Sequence, residues 1–184
     1  MKRKLTAILC AASVLFCMTA CSHTESEAEA EKAPDGNSVD VSAYDNAVLW
    51  AVAEPAAAGD ATVTVTVQLA KNAGFDVLGM RLYYDAALTP VIGDAQNGVE
   101  YEDGTVTEGT VSVTSRNEEE RIIGYASMGV QTVTGNGSVF SCQFTLPSDA
   151  KTGDSYTLQC ETADYLLSEA PQDISCLTTS FTLN

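Results

Sequence analysis

From Val48 onward, apolar and polar positions alternate with a period of two, the spacing of strands with one buried face rather than of helices. The clearest run is Thr62-Val63-Thr64-Val65-Thr66-Val67-Gln68-Leu69, in which β-branched Thr and Val alternate strictly before Gln68 and Leu69. Another sets Leu78, Met80, Leu82 and Tyr84 on one face and Val77, Gly79, Arg81 and Tyr83 on the other. Further strands are predicted over 48–53, 88–92, 110–115, 122–128, 139–146, 155–162 and 177–183. Turn chemistry separates them at Ala58-Gly59-Asp60, Asn97-Gly98, Glu102-Asp103-Gly104, Gly135-Asn136-Gly137 and Thr152-Gly153-Asp154. Nine short strands without a convincing helix predict an all-β, nine-stranded β-sandwich of jelly-roll topology spanning residues 45–184.

The first 44 residues follow other patterns. Lys2, Arg3 and Lys4 precede an apolar stretch from Leu5 to Met18, too short to span a bilayer, and residues 1–20 are expected to be a signal peptide. That segment ends Met18-Thr19-Ala20-Cys21, which resembles the bacterial lipobox, so Cys21 is expected to carry lipid and become the mature N-terminus. Residues 21–44 hold mostly Glu, Ala, Ser, Asp, Gly and Asn around Pro34, too little apolar surface to offset the entropy of ordering. They are expected to form a disordered acidic tether with a reach of about 25 Å. The expected location is the outer face of a bacterial cell envelope, with the domain anchored by its lipid and monomeric.

Charge narrows the partners. The whole chain carries −16; loss of three of the nine Lys and Arg residues leaves six against 25 Asp and Glu, or −19. A nucleic-acid binder needs a basic stripe, and this surface repels polyanions. The sole histidine, His23, lies in the tether, so the domain has no means of building Ser-His-Asp, Cys-His or histidine-zinc sites. Glu118, Glu119 and Glu120 lie beside Arg116 and Arg121 and read as a solvated hairpin loop rather than a glycosidase pair. No enzymatic activity is expected. The oxygen-rich clusters Asp35-Gly36-Asn37 and Glu100 to Asp103 lack EF-hand spacing and are explained by turn formation, so neither a metal nor a cofactor is expected.

Three cysteines remain in the domain, Cys142, Cys160 and Cys176, an odd number. Cys142 and Cys160 alternate with apolar neighbours and read as buried thiols, while a Cys160–Cys176 disulfide stays open in an oxidising compartment.

The order of motifs carries a resemblance. Val63 to Leu69, followed by Gly79-Met80-Arg81-Leu82-Tyr83-Tyr84-Asp85, resembles the second and third strands of the cohesin family. Arg121-Ile122-Ile123-Gly124-Tyr125-Ala126 is similar to its sixth strand, and Gly137-Ser138-Val139-Phe140 to the start of its seventh. The resemblance implies a receptor for a calcium-loaded dockerin, with the calcium on the partner, in a cellulosome-like polysaccharide-degrading complex. It implies docking on the sheet of strands three, five, six and eight. Outward residues expected there are Val77, Gly79, Arg81, Tyr83, Ser112, Thr114, Ile122, Gly124, Ala126 and Met128, with Leu166 and Leu167 as an apolar rim. Family members often have Asn and Asp where this chain has Val77 and Gly79, so its interface leans on shape and apolar contact. One such module on a lipid anchor implies a terminal attachment point for an enzyme or scaffoldin.

Two rival readings belong to other classes. A lipid-anchored carbohydrate-binding module needs coplanar aromatics; Trp50, alternating with Val48 and Val52, reads as core, and Tyr83, Tyr101 and Tyr165 come from separate segments. An adhesin or pilus-like structural domain fits the strand pattern equally well.

Overall fold

Strand alternation resolves into two six-stranded sheets packed face to face. The computed structural model describes residues 33–94 and 97–184; the expected signal peptide, Cys21 and residues 21–32 of the expected tether lie outside the described residues. Among the described residues twelve strands form: β1 (Ala47–Ala53), β2 (Thr62–Ala70), β3 (Phe75–Tyr84), β4 (Thr89–Pro90), β5 (Tyr101–Asp103), β6 (Val111–Asn117), β7 (Ile122–Val133), β8 (Gly137–Thr145), β9 (Ser155–Leu167), β10 (Ala170–Pro171), β11 (Ile174–Cys176) and β12 (Thr178–Thr182). One sheet runs β11-β1-β2-β8-β4, with β5 also on β8; the other runs β10-β9-β3-β7-β6, with β12 also on β9. All-β sandwich architecture is as expected. The additional strands are short ones, β5, β10 and β11, below the length at which alternation is visible in a sequence.

The core follows from period two. Val63, Val65, Val67 and Leu69 of β2 face Leu78, Met80, Leu82 and Tyr84 of β3, and all are buried. Across the two sheets Tyr125 of β7 stacks on Phe140 of β8, with centroids 4.5 Å apart and planes 6° from parallel. Tyr101 of β5 adds an edge contact to Tyr125 at 5.9 Å, and the Tyr125 hydroxyl donates to Asp103 at 3.0 Å. Burial pushes that phenol up to about 12. Residues 102–104, expected as a turn, instead place Glu102 and Asp103 in β5, because Asp103 is held by Tyr125 and by the Ser112 hydroxyl at 2.6 Å.

Cys142, Cys160 and Cys176 are free thiols. Burial pushes Cys142 up to about 12, and raises Cys160 further with a smaller contribution from Cys176 beside it, so neither supplies a thiolate nucleophile near neutral pH. Cys176 accepts or donates a hydrogen bond with Thr162 Oγ1 at 3.1 Å.

The segment expected to be tether begins to fold well before residue 45. Pro34 carbonyl accepts from Ser180 N (2.8 Å), Ala33 carbonyl accepts from Ser180 Oγ (2.7 Å), and Asp35 bridges Ser180 of β12 in parallel. Residues 36–38 and 41–43 then form 3-10 turns, capped by the side chains of Asp35 and Asp40. On the other sheet, Trp50 Nε1 donates to the Gly36 carbonyl at 3.1 Å and Asn37 Nδ2 to the Ala53 carbonyl at 3.4 Å. The segment therefore clasps both sheets. The expected boundary at residue 45 is too late, because backbone groups rather than apolar side chains make these contacts. Trp50 is likewise displaced from the expected core: Leu49, Ala51 and Ala53 face the sandwich interior, and Trp50 lies half-buried on the opposite face.

Gly36 is buried, and a Cβ on it would run into the Ala51 carbonyl oxygen. Gly36→Leu is therefore expected to lift residues 33–38 and move the emission of Trp50, the only tryptophan, to longer wavelength. Unchanged emission, with unchanged protease resistance around residue 36, would contradict the clasp.

Candidate functional site

The outer surface of the sheet β9-β3-β7-β6 is a flat face whose register sets four cross-strand rows. Directly opposite residues in antiparallel strands project to the same side. The first row is Leu166, Val77, Met128 and Val111; the second is Asp164, Gly79, Ala126 and Val113. The third is Glu161, Arg81, Gly124 and Ser115, and the fourth is Gln159, Tyr83, Ile122 and Asn117.

Chemistry changes along those rows. At one end Val111, Val113 and Met128 are 74%, 62% and 59% exposed; with Val130 of β7, past the last regularly paired row, they are the large apolar side chains left most exposed among the described residues. Large aliphatic groups grouped on one face mark an interaction surface more than a solvated one. At the other end Arg81 Nη1 pairs with Glu161 Oε1 at 2.7 Å, and the Tyr83 hydroxyl donates to Glu161 Oε2 at 2.9 Å. That hydrogen bond to a carboxylate raises the Tyr83 phenol above its ordinary value. Between the two ends the face dips over Gly79, Gly124 and Ala126, which leave almost no side chain between Arg81, Val113 and Asp164.

Of the residues expected on this surface, the register brings together Val77, Gly79, Arg81, Tyr83, Ile122, Gly124, Ala126, Met128 and Leu166. Ser112 and Thr114 are not among them. They point to the inner side of β6, where Ser112 Oγ lies 3.1 Å from the Tyr101 hydroxyl and donates to Asp103, and Thr114 Oγ1 donates to the Val99 carbonyl at 3.1 Å. Those bonds satisfy the hydroxyls inside and turn Val111 and Val113 outward, reversing the rule that valine faces the core. Leu167 also leaves the face: alternation after Leu166 sends it to the other side of β9, beside Gly74.

Sequence reading passed over Val111, Val113, Val130, Glu161 and Asp164. The signal for the valines was present, as two β-branched residues at alternate positions, but their facing depended on hydrogen-bond partners from β5 and the preceding loop. The Glu118 to Glu120 run forms the turn between β6 and β7, with Glu118 Oε1 on Arg116 Nε at 2.9 Å and Asn117 Oδ1 accepting from Glu120 N at 3.2 Å. Asp76 pins the end of the site: its carboxylate accepts from Thr132 Oγ1 and Ser168 N, both at 2.7 Å, and these bonds hold it below the usual carboxylate range. The β9–β10 turn is thereby tied to β3.

The sequence model of the cohesin domain matches residues 48–182. This chain belongs to the cohesin family. Cohesins are non-catalytic protein-interaction modules. The cohesin fold is seen again in solved structures. A non-cellulosomal cohesin from Archaeoglobus fulgidus is 15% identical, with a TM-score of 0.59 over 76% of this chain and 91% of that one. The third cohesin of ScaC from Acetivibrio cellulolyticus, solved in complex with the ScaB dockerin, is 14% identical with a TM-score of 0.61, over 74% of this chain and 98% of that one. A type III cohesin module from the cell-surface anchoring scaffoldin ScaE of Ruminococcus flavefaciens is 14% identical with a TM-score of 0.57, over 83% and 98%. A search of curated protein sequences gave no match. At these identities the likeness establishes the cohesin fold alone.

Proposed function

We propose that this cohesin is a lipid-anchored receptor that captures a dockerin-bearing enzyme or scaffoldin of a cellulosome-like, polysaccharide-degrading assembly on the β9-β3-β7-β6 face. The observation that carries the reading is the group of exposed aliphatic side chains, Val111, Val113 and Met128, beside the polar cluster of Arg81, Glu161 and Tyr83. An exposed apolar patch beside a polar one suits association with another protein. The structurally similar Acetivibrio cohesin in complex with a dockerin supports the choice of partner. The Met18-Thr19-Ala20-Cys21 motif supports a lipid anchor, and the acidic residues after it supply reach from a bacterial surface.

Docked here, a partner would stay near the cell that exported it, with its products released close to that cell. The receptor itself needs no metal; calcium belongs to the dockerin. Calorimetric titration of the mature chain carrying Cys21→Ser against dockerins from the same organism tests the reading. Saturable binding that chelator abolishes and calcium restores is the expected result. Absence of heat with every dockerin, together with retention on insoluble polysaccharide, would replace it with a carbohydrate-binding role.

A further inference from the structure

Two glycines occupy interior strand positions in the middle of the docking face, Gly79 in β3 and Gly124 in β7. Glycine in a strand interior weakens the strand and often marks a place where another molecule approaches closely. Neither residue has a positive φ, so backbone conformation does not require glycine at either place. A Cβ on Gly79 would lie 3.4–3.5 Å from Asp164, an ordinary contact, so internal packing does not require glycine there either. Gly79 is buried beneath Asp164, and a Cβ on Gly124 would meet the Ser115 hydroxyl, so the open part of the dip lies over Ala126, between Val113 and Asp164.

A second feature converges on that space. Gly79 pairs with Asp164 while Met80 pairs with Thr162, so Ala163 is an extra residue that bulges β9. Such bulges re-aim the side chain beside them. Here the bulge sets the Asp164 carboxyl group over Gly79. Glu161, one row away, is engaged by both Arg81 and Tyr83, whereas the Asp164 carboxylate has no hydrogen bond or ion pair among the described residues. With Arg81 and Glu161 neutralising each other, the dip carries one uncompensated negative charge. Its opposite wall, Val113, is aliphatic.

We infer that this dip is a socket for one cationic side chain, Lys or Arg, projecting from the dockerin. The aliphatic stem lies over Ala126 against Val113, and the charged head meets Asp164. An apolar side chain in the same place would strip water from the carboxylate and leave it unpaired, and an acidic one would be repelled. Asp164 therefore selects among dockerins, while the valines and Met128 provide the apolar area. The inference rests on the docking reading above.

The test is a double-mutant cycle with each dockerin that binds the mature chain. Asp164→Asn removes the charge without removing any contact within the domain, so its thermal midpoint should match the parent. Its affinity at low salt should fall about tenfold or more, with a flatter salt dependence. Gly79→Leu, which fills the socket, should bind more weakly still. Asp164→Lys should abolish binding and regain it with a dockerin in which the matching Lys or Arg is replaced by Glu. Glu54→Gln, on the other sheet, should leave affinity unchanged. Parental affinity in Asp164→Asn, or no dockerin cation coupled to position 164, would overturn the socket and leave docking on this face standing. Failure of the parent chain to bind any dockerin would overturn the docking reading itself, and the socket with it.

Discussion

Val113→Asp is expected to reduce dockerin affinity more than a hundredfold while leaving the domain folded. Val113 stands in the second row of the face, beside Ala126 and close to the dip over Gly79. A carboxylate placed there and covered by a partner loses its water and faces the aliphatic stem of the incoming Lys or Arg, whose charged head is already held by Asp164, so it has no counter-charge of its own, which costs about 3 kcal/mol or more. That corresponds to more than about two orders of magnitude in affinity. The free domain loses little, because the side chain is exposed, and a change of about 1 kcal/mol or less is expected from altered strand propensity. β6 is also an edge strand, paired among the described residues only with β7, and an exposed apolar edge is open to unwanted strand pairing. Calorimetry with a binding dockerin and a thermal melt decide the matter together: a melt close to that of the parent with full affinity would remove Val113 from the interface. Met128→Asp, in the neighbouring row, should behave in the same way.

Phe140→Ala is expected to be the most damaging single truncation in the domain. The ring is fully buried and stacked on Tyr125, so its removal loses both transfer free energy and an aromatic contact between the sheets. Losses of about 3–5 kcal/mol are usual for such a cavity. Against a total stability of about 5–15 kcal/mol, that is a large fraction. In urea the midpoint should fall while the slope holds, the behaviour of a destabilised two-state domain. Docking should weaken as well, because Tyr125 lies in β7 between Gly124 and Ala126 and anchors that strand from below. A loss under about 1 kcal/mol would mean that the sheets are held elsewhere.

The contrast between β3 and β6 shows why some of the site was legible and some was not. In β3 the inward positions are Leu78, Met80, Leu82 and Tyr84, so apolar alternation alone points Val77, Gly79, Arg81 and Tyr83 outward. In β6 the alternation is equally regular, Val-Ser-Val-Thr-Ser, but either facing satisfies it. The choice rests on where the hydroxyls find partners, and those partners, Tyr101, Asp103 and the Val99 carbonyl, come from a segment about ten to fifteen residues earlier. Polarity alone gives the inverse facing in such a case. Trp50 fails for a similar reason. Its strand is apolar on both faces, and the chain that covers the second face is the polar stretch around Gly36.

By itself the sequence determined the all-β class, the position of the longer strands, the inward faces of β2 and β3, and the strongly acidic balance of the chain. These depend on neighbours a few residues apart, where side-chain period and composition act directly. Tertiary structure alone decided the facing of β6, the clasp of residues 33–38 across both sheets, and the bulge at Ala163 that brings Asp164 to Gly79. Each of these depends on a hydrogen bond or a register between segments distant in the chain. A period of two states only that a strand has two faces; what lies against each face is settled when the sheets assemble.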